Sequence, residues 1–308
     1  MARLTIRQME YFDSLAETLH FGRAAALAGV TQPALSAQIA EMEARLGCRL
    51  FKRGDGAVGL TEEGRALLPR VERILAEVRD LESTASRGRQ VLEGRFRLGM
   101  IPTVAPYLLP KLLPELKRHF PALQLELQEA RTATLLKETT SGRLDAMVAA
   151  LPLDDPALAV EVLFEDRFLL AVSEHDPAFV APPVPPESPA LERLMLLEEG
   201  HCMREQALAV CGRVKPVAMA SYGATSLTTL MQMVAHGLGV TLIPEMAADL
   251  ARAMPDLKVV PFAEPAPART ICLAWRKSSG RREDCAELAK RLSKLHAVQR
   301  QPNGSDDS

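Results

Sequence analysis

Cys202 is the residue with the clearest capacity for chemistry, and it directly follows Gly200 and His201. The residues from Met203 to Val210 are rich in helix formers, so Cys202 is predicted to lie near a helix N-terminus. At that end the helix dipole favours a thiolate, the nucleophilic form of cysteine. Cys211 follows nine residues later. The alternative interpretation is that the two cysteines are unrelated small hydrophobic residues on one helix.

The remaining candidates for chemistry lack a supporting pattern. Cys48, Cys272 and Cys285 lie in no activating context and are interpreted as buried hydrophobic residues. The chain has five cysteines, and neither a CxxC pair nor zinc spacing occurs, so we expect no disulfide framework and no metal. Gly237 and Gly239 follow a predicted helix and lack a third glycine, which excludes a dinucleotide loop. No cofactor is expected.

Length and composition point to a soluble protein of two or three domains. The 308 residues are 47% hydrophobic and 25% charged, with a formal net charge of -2. No apolar run is long enough to span a membrane, and the N-terminus lacks an apolar signal core. We therefore expect a cytoplasmic protein without a membrane partner. The near-neutral charge neither favours nor excludes nucleic acid, since a small basic domain can be masked by a larger acidic one.

The N-terminal residues predict a helix-turn-helix. Apolar spacing indicates helices at 4–16, 21–28 and 32–46, with Gly29 and Thr31 at the turn between the last two. On the third helix, apolar residues from Leu35 to Leu46 form the core-facing stripe. The residues off that stripe near the helix start are where a recognition helix contacts base edges in the major groove. These predicted DNA-binding residues are Gln32, Pro33, Ser36 and Gln38.

A short hairpin and a long helix are predicted next. Asp55-Gly56 between two extended runs indicates a hairpin, or wing, and Arg53 on it is predicted to contact phosphate. Thr61 is expected to cap a helix from Glu62 towards Ser86. Its apolar residues repeat at coiled-coil spacing, which favours pairing of two chains, whereas packing on its own domain is the alternative. The seam residues are Leu67, Val71, Ile74, Val78 and Leu81.

Strands alternate with helices from Arg95 onward, which is typical of an α/β body with mostly parallel sheets. The predicted fold class is therefore α/β, with an N-terminal winged helix-turn-helix and a linker helix. The expected boundaries are a DNA-binding domain at 1–60, a linker and dimerisation helix at 61–90, an effector domain at 91–298 and a disordered tail at 299–308.

The N-terminal motifs resemble those of LysR-type transcription regulators. The matching residues are Phe21-Gly22-Arg23-Ala24-Ala25, Thr31-Gln32-Pro33-Ala34-Leu35-Ser36, Leu50-Phe51, Leu60-Thr61-Glu62-Glu63-Gly64 and, in the body, Gly237 to Pro244. The resemblance covers nearly the whole chain. It implies an effector domain of two α/β subdomains like those of periplasmic binding proteins, subdomain I at 91–167 and 270–298 and subdomain II at 168–269.

Several segments are similar to the hydrogen-peroxide-sensing members of that family. They are Leu197 to Ala207 with Cys211, Ile101 to Pro110, Glu129 to Thr132, Ala224 to Leu227 and Arg269 to Ile271. The resemblance implies that Cys202 is the peroxidatic cysteine, that Cys211 resolves it as an intramolecular disulfide, and that Thr103, Thr132, His201, Glu205 and Arg269 line the peroxide pocket. Glu205 stands where many members have aspartate, and the segment between Cys211 and Ala224 departs from the family pattern.

The implied disulfide has a geometric consequence. If the segment between Cys202 and Cys211 is helical, their Cα atoms lie roughly 13 Å apart. A disulfide needs Cα atoms within about 7 Å, so the segment must unwind on oxidation.

The resemblance also implies partners. They are double-stranded DNA at an interrupted inverted-repeat operator, hydrogen peroxide, RNA polymerase, and further copies of the chain as a homodimer or homotetramer. The regulator would activate or repress oxidative-stress genes. One alternative is a LysR-type regulator that responds to a small metabolite bound between the effector subdomains. A thiol peroxidase would share this cysteine chemistry. An enzyme needs no helix-turn-helix, however, so we expect that the chain is not an enzyme.

Overall fold

The computed structural model describes residues 4–54, 57–86, 90–176, 181–185, 187–210 and 224–299. The chain divides into two compact units. The first comprises Met1–Ala85 with Thr140–Arg143, and the second comprises Ser86–Thr139 with Leu144–Ser308. Within the described ranges, no helix has both the length and the apolar character that crossing a bilayer requires.

Three helices begin the first unit, α1 at Ile6–Thr18, α2 at Phe21–Leu27 and α3 at Gln32–Leu46. A capping box starts α1, in which the Thr5 hydroxyl accepts from the backbone of Gln8 and the Gln8 side chain accepts from the backbone of Thr5. The predicted helix-turn-helix is confirmed.

Thr31 occupies the N-cap position of α3 but makes no side-chain cap hydrogen bond. Gln32 and Pro33 follow it directly, and since proline lacks an N–H, one donor of the first turn needs no cap.

The predicted wing is confirmed as two antiparallel strands, β1 at Phe51–Gly54 and β2 at Ala57–Leu60. Its Asp55-Gly56 turn lies outside the described residues. Buried Glu43 on α3 holds the wing, because its Oε1 accepts from the backbone N–H groups of Leu50 at 2.7 Å and Phe51 at 3.1 Å. The wing is therefore fixed to the predicted recognition helix.

The long helix α4 spans Glu62–Ser86. Thr61 caps it, because the Thr61 hydroxyl accepts a hydrogen bond from the N–H of Gly64. A Cβ at Gly64 would lie 2.3 Å from the carbonyl oxygen of Leu50, so only glycine lets α4 approach the wing this closely.

The apolar seam predicted on α4 divides into two parts. Leu67 and Val71 pack on the core of the first unit, as the alternative interpretation anticipated. Ile74 and Leu81 are 42% and 71% exposed. The exposed part remains available to a second chain, and pairing stays a prediction.

The second unit alternates strands and helices. In chain order they are β3 Gly94–Met100, α5 Ala105–His119, β4 Leu123–Glu129, α6 Thr132–Thr140, β5 Ala146–Ala150, β6 Leu158–Ser173, α7 Cys202–Val210, α8 Leu227–Ala235, β7 Thr241–Pro244, α9 Ala248–Arg252, β8 Leu257–Pro261, β9 Ala268–Arg276 and α10 Arg282–Gln299. Short 3-10 helices lie at Pro189–Arg193 and Glu245–Ala247.

These strands form a mixed sheet in the order β4-β3-β5-β9-β6-β7, with β8 also pairing with β6. Strand β3 is parallel to β4 and β5. The pairings of β9 with β5 and β6, and of β6 with β7 and β8, are antiparallel. The α/β class is confirmed, but the expectation of mostly parallel sheets is wrong. Two of the four antiparallel pairings arise from β9, a late strand inserted between β5 and β6, and the other two join β6 to β7 and β8.

Two hydrophobic cores share the long strand β6. The first effector core contains its residues Leu158, Leu163 and Phe164, and α5 packs on it. The second effector core contains Phe168–Val172 of the same strand together with buried residues of α8. One strand thus runs through both cores, and β9 lies beside it over Leu158–Arg167.

Candidate functional site

A buried ion pair lies where the two effector cores meet. Asp166 on β6 and Arg269 on β9 are directly opposite each other in the antiparallel register, so their side chains share one face of the sheet. Both side chains are 0% exposed. Arg269 donates from Nε at 3.0 Å to Oδ2 of Asp166, and its Nη2 lies 2.9 Å from the same oxygen. Burial makes this pair far more costly to break than a surface pair.

The remaining guanidinium donors of Arg269 reach Thr103, in the turn between β3 and α5. Nη1 donates to the Thr103 hydroxyl at 2.8 Å and Nη2 to its carbonyl oxygen at 3.0 Å. Met246 completes the site, since its backbone N–H donates to Asp166 at 3.2 Å and its sulfur lies 3.7 Å from Nη2. Thr103 is 2% exposed, and its hydroxyl proton can still be donated to a ligand.

Cys202 is the first residue of α7, as predicted. Its thiol is free and half-buried, and it packs against the first effector core. Met203 and Ala207, on the same helix, are buried in the second effector core. α7 therefore contacts both cores, with the cysteine at its N-terminal end.

His201, beside Cys202, is 6% exposed. Burial lowers the pKa of His201 from its ordinary value of 6.5, the positive charge of Arg131 lowers it further, and Glu198 opposes the change. The imidazole is therefore neutral at neutral pH.

Thr132, the first residue of α6, has a buried hydroxyl without a hydrogen-bond partner among the described residues. Its neighbour Arg131 pairs with Glu198 at 3.2 Å. The Arg131 side chain also lies over Gly200, where a Cβ would be 3.3 Å from Nη1. The start of α6 thus adjoins the segment that leads into Cys202.

Two side chains of α7 tie it to neighbouring backbone. Gln206 donates to the carbonyl oxygen of Leu151, at the end of β5, at 3.3 Å. Arg204 donates to the carbonyl oxygen of Leu197 at 3.0 Å. These are neutral acceptors, so α7 is held mainly by apolar packing.

The structure does not place all predicted site residues together. Glu205 is exposed in the first turn of α7 and does not share the burial of Thr103, His201 and Arg269. Cys211 lies outside the described residues.

The predicted DNA-binding residues differ in their surroundings. Gln32 and Pro33 are exposed at the start of α3, while Ser36 and Gln38 are half-buried. The Gln38 amide oxygen accepts from Gln8 at 3.3 Å. The side chain of Arg53 lies outside the described residues. Gln32 is therefore the best presented of the described candidates.

Sequence reasoning missed several residues of the site. Asp166 and Met246 occur in no motif, while Arg131 and Gln206 lie in the matching segments Glu129 to Thr132 and Leu197 to Ala207 but were assigned no role there. The contacts of all four depend on strand pairing and on residues distant in sequence. For Asp166 the sequence gives no clear signal, because the charged residues Glu165 and Arg167 flank it in the same strand. No group of three or more potential metal ligands occurs in the described part of the chain.

Two separate parts of the chain match models of one family. Residues 6–65 match the bacterial regulatory helix-turn-helix protein of the lysR family, and residues 89–295 match the LysR substrate binding domain. The chain belongs to the LysR family of transcription regulators.

Within this family the chain is similar to OxyR and to proteins named as hydrogen peroxide-inducible genes activators. It is 39% identical over 289 residues to the DNA-binding transcriptional dual regulator OxyR of Escherichia coli K12, covering 94% of this chain and 95% of that protein. It is 38% identical over 292 residues to the probable hydrogen peroxide-inducible genes activator of Mycobacterium leprae, covering 94% of each.

Solved structures show the same similarity. A full-length cysteine-to-aspartate variant of OxyR from Pseudomonas aeruginosa superimposes with a TM-score of 0.74 and 32% identity, covering 95% of each chain. A cysteine-to-serine variant of OxyR from Corynebacterium glutamicum bound to H2O2 gives 0.64 and 32%, covering 97% of this chain and 96% of that one.

Proposed function

We propose that this chain is a DNA-binding transcription regulator that senses hydrogen peroxide through Cys202. The observation that carries the proposal is the position of Cys202, half-buried at the start of a helix that contacts both effector cores. A change at this sulfur can therefore alter packing in both cores. Similarity to peroxide-responsive regulators over 94% of the chain supports the same function.

The proposed chemistry begins with the Cys202 thiolate. It attacks one peroxide oxygen, so an S–O bond forms while the O–O bond breaks and hydroxide leaves, to be protonated to water. The product is a sulfenic acid. Thr103, held by Arg269, and the unpartnered hydroxyl of Thr132 can hydrogen-bond the peroxide oxygens. The neutral imidazole of His201 can donate a hydrogen bond to the leaving oxygen from its one ring N–H, while water supplies the proton.

In the second step the Cys211 thiol attacks the sulfenic sulfur, and a disulfide forms as water leaves. The helix from Cys202 to Val210 alone spans about 12 Å. Chain connectivity places the next Cα at most about 3.8 Å from that of Val210, so the two cysteine Cα atoms are at least about 8 Å apart. This exceeds the limit of about 7 Å for a disulfide. Formation of the bond therefore requires α7 to unwind.

The remaining parts of the proposal follow the division of the chain. Residues 1–60 bind DNA in the cytoplasm, 61–90 pair two chains, and 91–298 sense peroxide. Two dimers form a tetramer through the effector domains. Oxidation shifts the contact between effector domains. This shift changes the distance between the DNA-binding domains along an interrupted inverted repeat, and thereby changes their contact with RNA polymerase.

Mass spectrometry of peroxide-treated full-length protein tests the switch. The wild type should show a linkage between Cys202 and Cys211. Cys202→Ser should abolish the response, and Cys211→Ser should form the sulfenic acid without the stable linkage. Cys48→Ser is the matched control, because Cys48 packs in the core of the first unit and should leave the linkage intact.

DNA footprinting with reduced and oxidised protein separates the proposal from its alternatives. If the wild type forms no linkage while small metabolites alone change the footprint, the chain is a metabolite-responsive regulator. Multiple turnover of peroxide with a thiol reductant would instead indicate a thiol peroxidase.

The DNA contacts have their own test. Gln32 and Ser36 are proposed to contact base edges, and Arg53 to contact phosphate. Arg53→Ala should weaken binding to all sequences and reduce the slope of log K against log salt by about one. An unchanged slope would remove Arg53 from the interface.

A further inference from the structure

The ion pair of Arg131 and Glu198 lies beside the predicted reactive cysteine and is used by no step above. Its Nη2–Oε2 distance is 3.2 Å, and the side chains remain 45% and 39% exposed. The pair joins the residue before α6 to the segment that precedes α7. It is therefore accessible to solutes that approach Cys202 from solvent.

Gly200 is what lets Arg131 lie so close to the backbone that leads into Cys202. The backbone of Gly200 has φ +88°, and a Cβ there would be 3.2 Å from Cδ and 3.3 Å from Nη1 of Arg131. The guanidinium thus crosses the backbone two residues before Cys202, with Nη2 on Glu198 and Nη1 over Gly200. The charge also reaches the intervening residue, because Arg131 lowers the pKa of His201.

We propose that Arg131 is a specificity-determining residue that favours anionic over neutral reagents at Cys202, and that Glu198 limits this preference. The physical reason is Coulombic. A half-exposed cation attracts an approaching anion, whereas it has little effect on the approach of a neutral molecule such as H2O2. As regards oxidants, the proposal rests on the function proposed above.

The oxidants favoured would be anionic hydroperoxides, represented by peroxymonosulfate. The Cys202 thiolate attacks the terminal oxygen of HOOSO3⁻, the S–O bond forms and the O–O bond breaks. The electron pair leaves with sulfate, so a thiolate and a monoanion give a neutral sulfenic acid and a sulfate dianion. Because this oxidant approaches as an anion and leaves as a dianion, whereas H2O2 approaches neutral and leaves as a monoanion, the step is more sensitive to a nearby cation than is attack on H2O2.

Alkylation of the reduced full-length protein tests the charge preference without any peroxide. Iodoacetate is anionic and iodoacetamide is neutral, and peptide mass spectrometry gives the rate of each at Cys202. The ratio of the two rates should fall about fivefold in Arg131→Gln, which corresponds to roughly 1 kcal/mol. It should be retained in Arg131→Lys and rise in Glu198→Gln. High salt should reduce these differences, since the pair is exposed.

Cys48 provides the internal control, because it belongs to the other unit and is also half-buried. Its iodoacetate-to-iodoacetamide ratio should be the same in every variant. An unchanged ratio at Cys202 in Arg131→Gln would overturn the proposal. An equal change at Cys48 would also overturn it, because the effect would then be one of total charge.

The oxidant arm compares rates of Cys202 oxidation by peroxymonosulfate and by H2O2 in the same variants. If Arg131→Gln lowers only the peroxymonosulfate rate, the selectivity extends to oxidants. If the alkylation ratio responds but neither oxidant modifies Cys202 in any variant, Arg131 is still the charge selector and the peroxide-sensing function is wrong. The two failures are thus distinguishable.

Discussion

Met203 should determine how readily the proposed disulfide between Cys202 and Cys211 forms. Its side chain is 3% exposed and packs in the second effector core, one residue after Cys202. The proposed oxidation unwinds α7, so Met203 leaves this core when the disulfide forms. Met203→Ala removes that packing while keeping a residue that favours a helix. The substitution should destabilise the reduced form and leave the oxidised form almost unaffected.

The size of the effect follows from core packing. Replacement of a buried methionine by alanine costs about 2–5 kcal/mol. If only the reduced form bears this cost, the equilibrium shifts towards the disulfide by the same amount. For a two-electron couple about 1.4 kcal/mol corresponds to about 30 mV. The midpoint potential of Met203→Ala should therefore be roughly 40–110 mV more negative than that of the wild type.

Equilibration in glutathione redox buffers, followed by acid quenching and thiol labelling, measures the midpoint potential. Met231→Ala is the matched control. Met231 is 0% exposed, lies on α8 and packs in the same core, but it is outside the segment that unwinds. It should lose similar stability to denaturant with little change in potential, because the cost is shared by both redox forms.

Two results would refute this reasoning. If Met203→Ala loses stability to denaturant but keeps the wild-type potential, Met203 stays packed in the oxidised form, and α7 does not unwind at its N-terminal end. If Met231→Ala shifts the potential as far as Met203→Ala does, the whole second core changes on oxidation, and the switch is not confined to α7.

Three further outcomes are expected. Asp166→Asn should destabilise the protein by about 3–5 kcal/mol in urea unfolding, because Arg269 would be left as an unpaired buried charge. Glu264→Gln is the control. It breaks an exposed ion pair and should cost less than about 1 kcal/mol. The pKa of His201 is lowered in the folded state, so as the pH falls below 6.5 the unfolded chain binds more protons than the folded chain. The free energy of unfolding should therefore decrease from pH 6.5 down to the folded-state pKa. His201→Gln should flatten this pH dependence when unfolding is measured at several pH values. Burial raises the pKa of Cys272 to about 12, so iodoacetamide at pH near 8 should label Cys272 only after denaturant is added, and labelling of the native protein would contradict its burial.

Local signals were enough to predict the DNA-binding unit. Helix periodicity, Gly29 in the turn, and the Asp55-Gly56 hairpin signal act over a few residues, and the unit is built from such short-range contacts. The capping box at Thr5 and Gln8 was within reach of the same reasoning. The sequence alone does not show that the Glu43 carboxylate, on α3, accepts hydrogen bonds from the backbone at the start of the wing. That contact depends on how the two elements pack against each other.

The effector unit was harder to predict, because its strand order is non-local. Only the apolar second half of strand β6 has a clear strand pattern, since its first half alternates with charged residues such as Glu161 and Glu165 and lies partly exposed. The position of β9 between β5 and β6, where its pairings are antiparallel, is not a local property of the sequence. The partner of Arg269 could not be found without that register, although the resemblance to the family pointed to Arg269 and Thr103 themselves.

The contacts of Arg269 and the contacts of α7 differ in strength, and this difference determines how much free energy unwinding α7 would cost. Among the described residues, the guanidinium of Arg269 donates to Asp166, Thr103 and the Met246 sulfur, and none of these lies on α7. The helix itself is held by apolar packing and by hydrogen bonds to neutral carbonyls, such as that from Gln206, each contributing about 0.5–1.5 kcal/mol.

Breaking the buried ion pair would cost several times more than one of those bonds. In the proposed switch, unwinding α7 would leave no charge of the Arg269 site unpaired, because none of the partners named for Arg269 lies on α7. The Arg269 site would then stay assembled while the helix unwinds, and after reduction α7 would refold against donors that have kept their place.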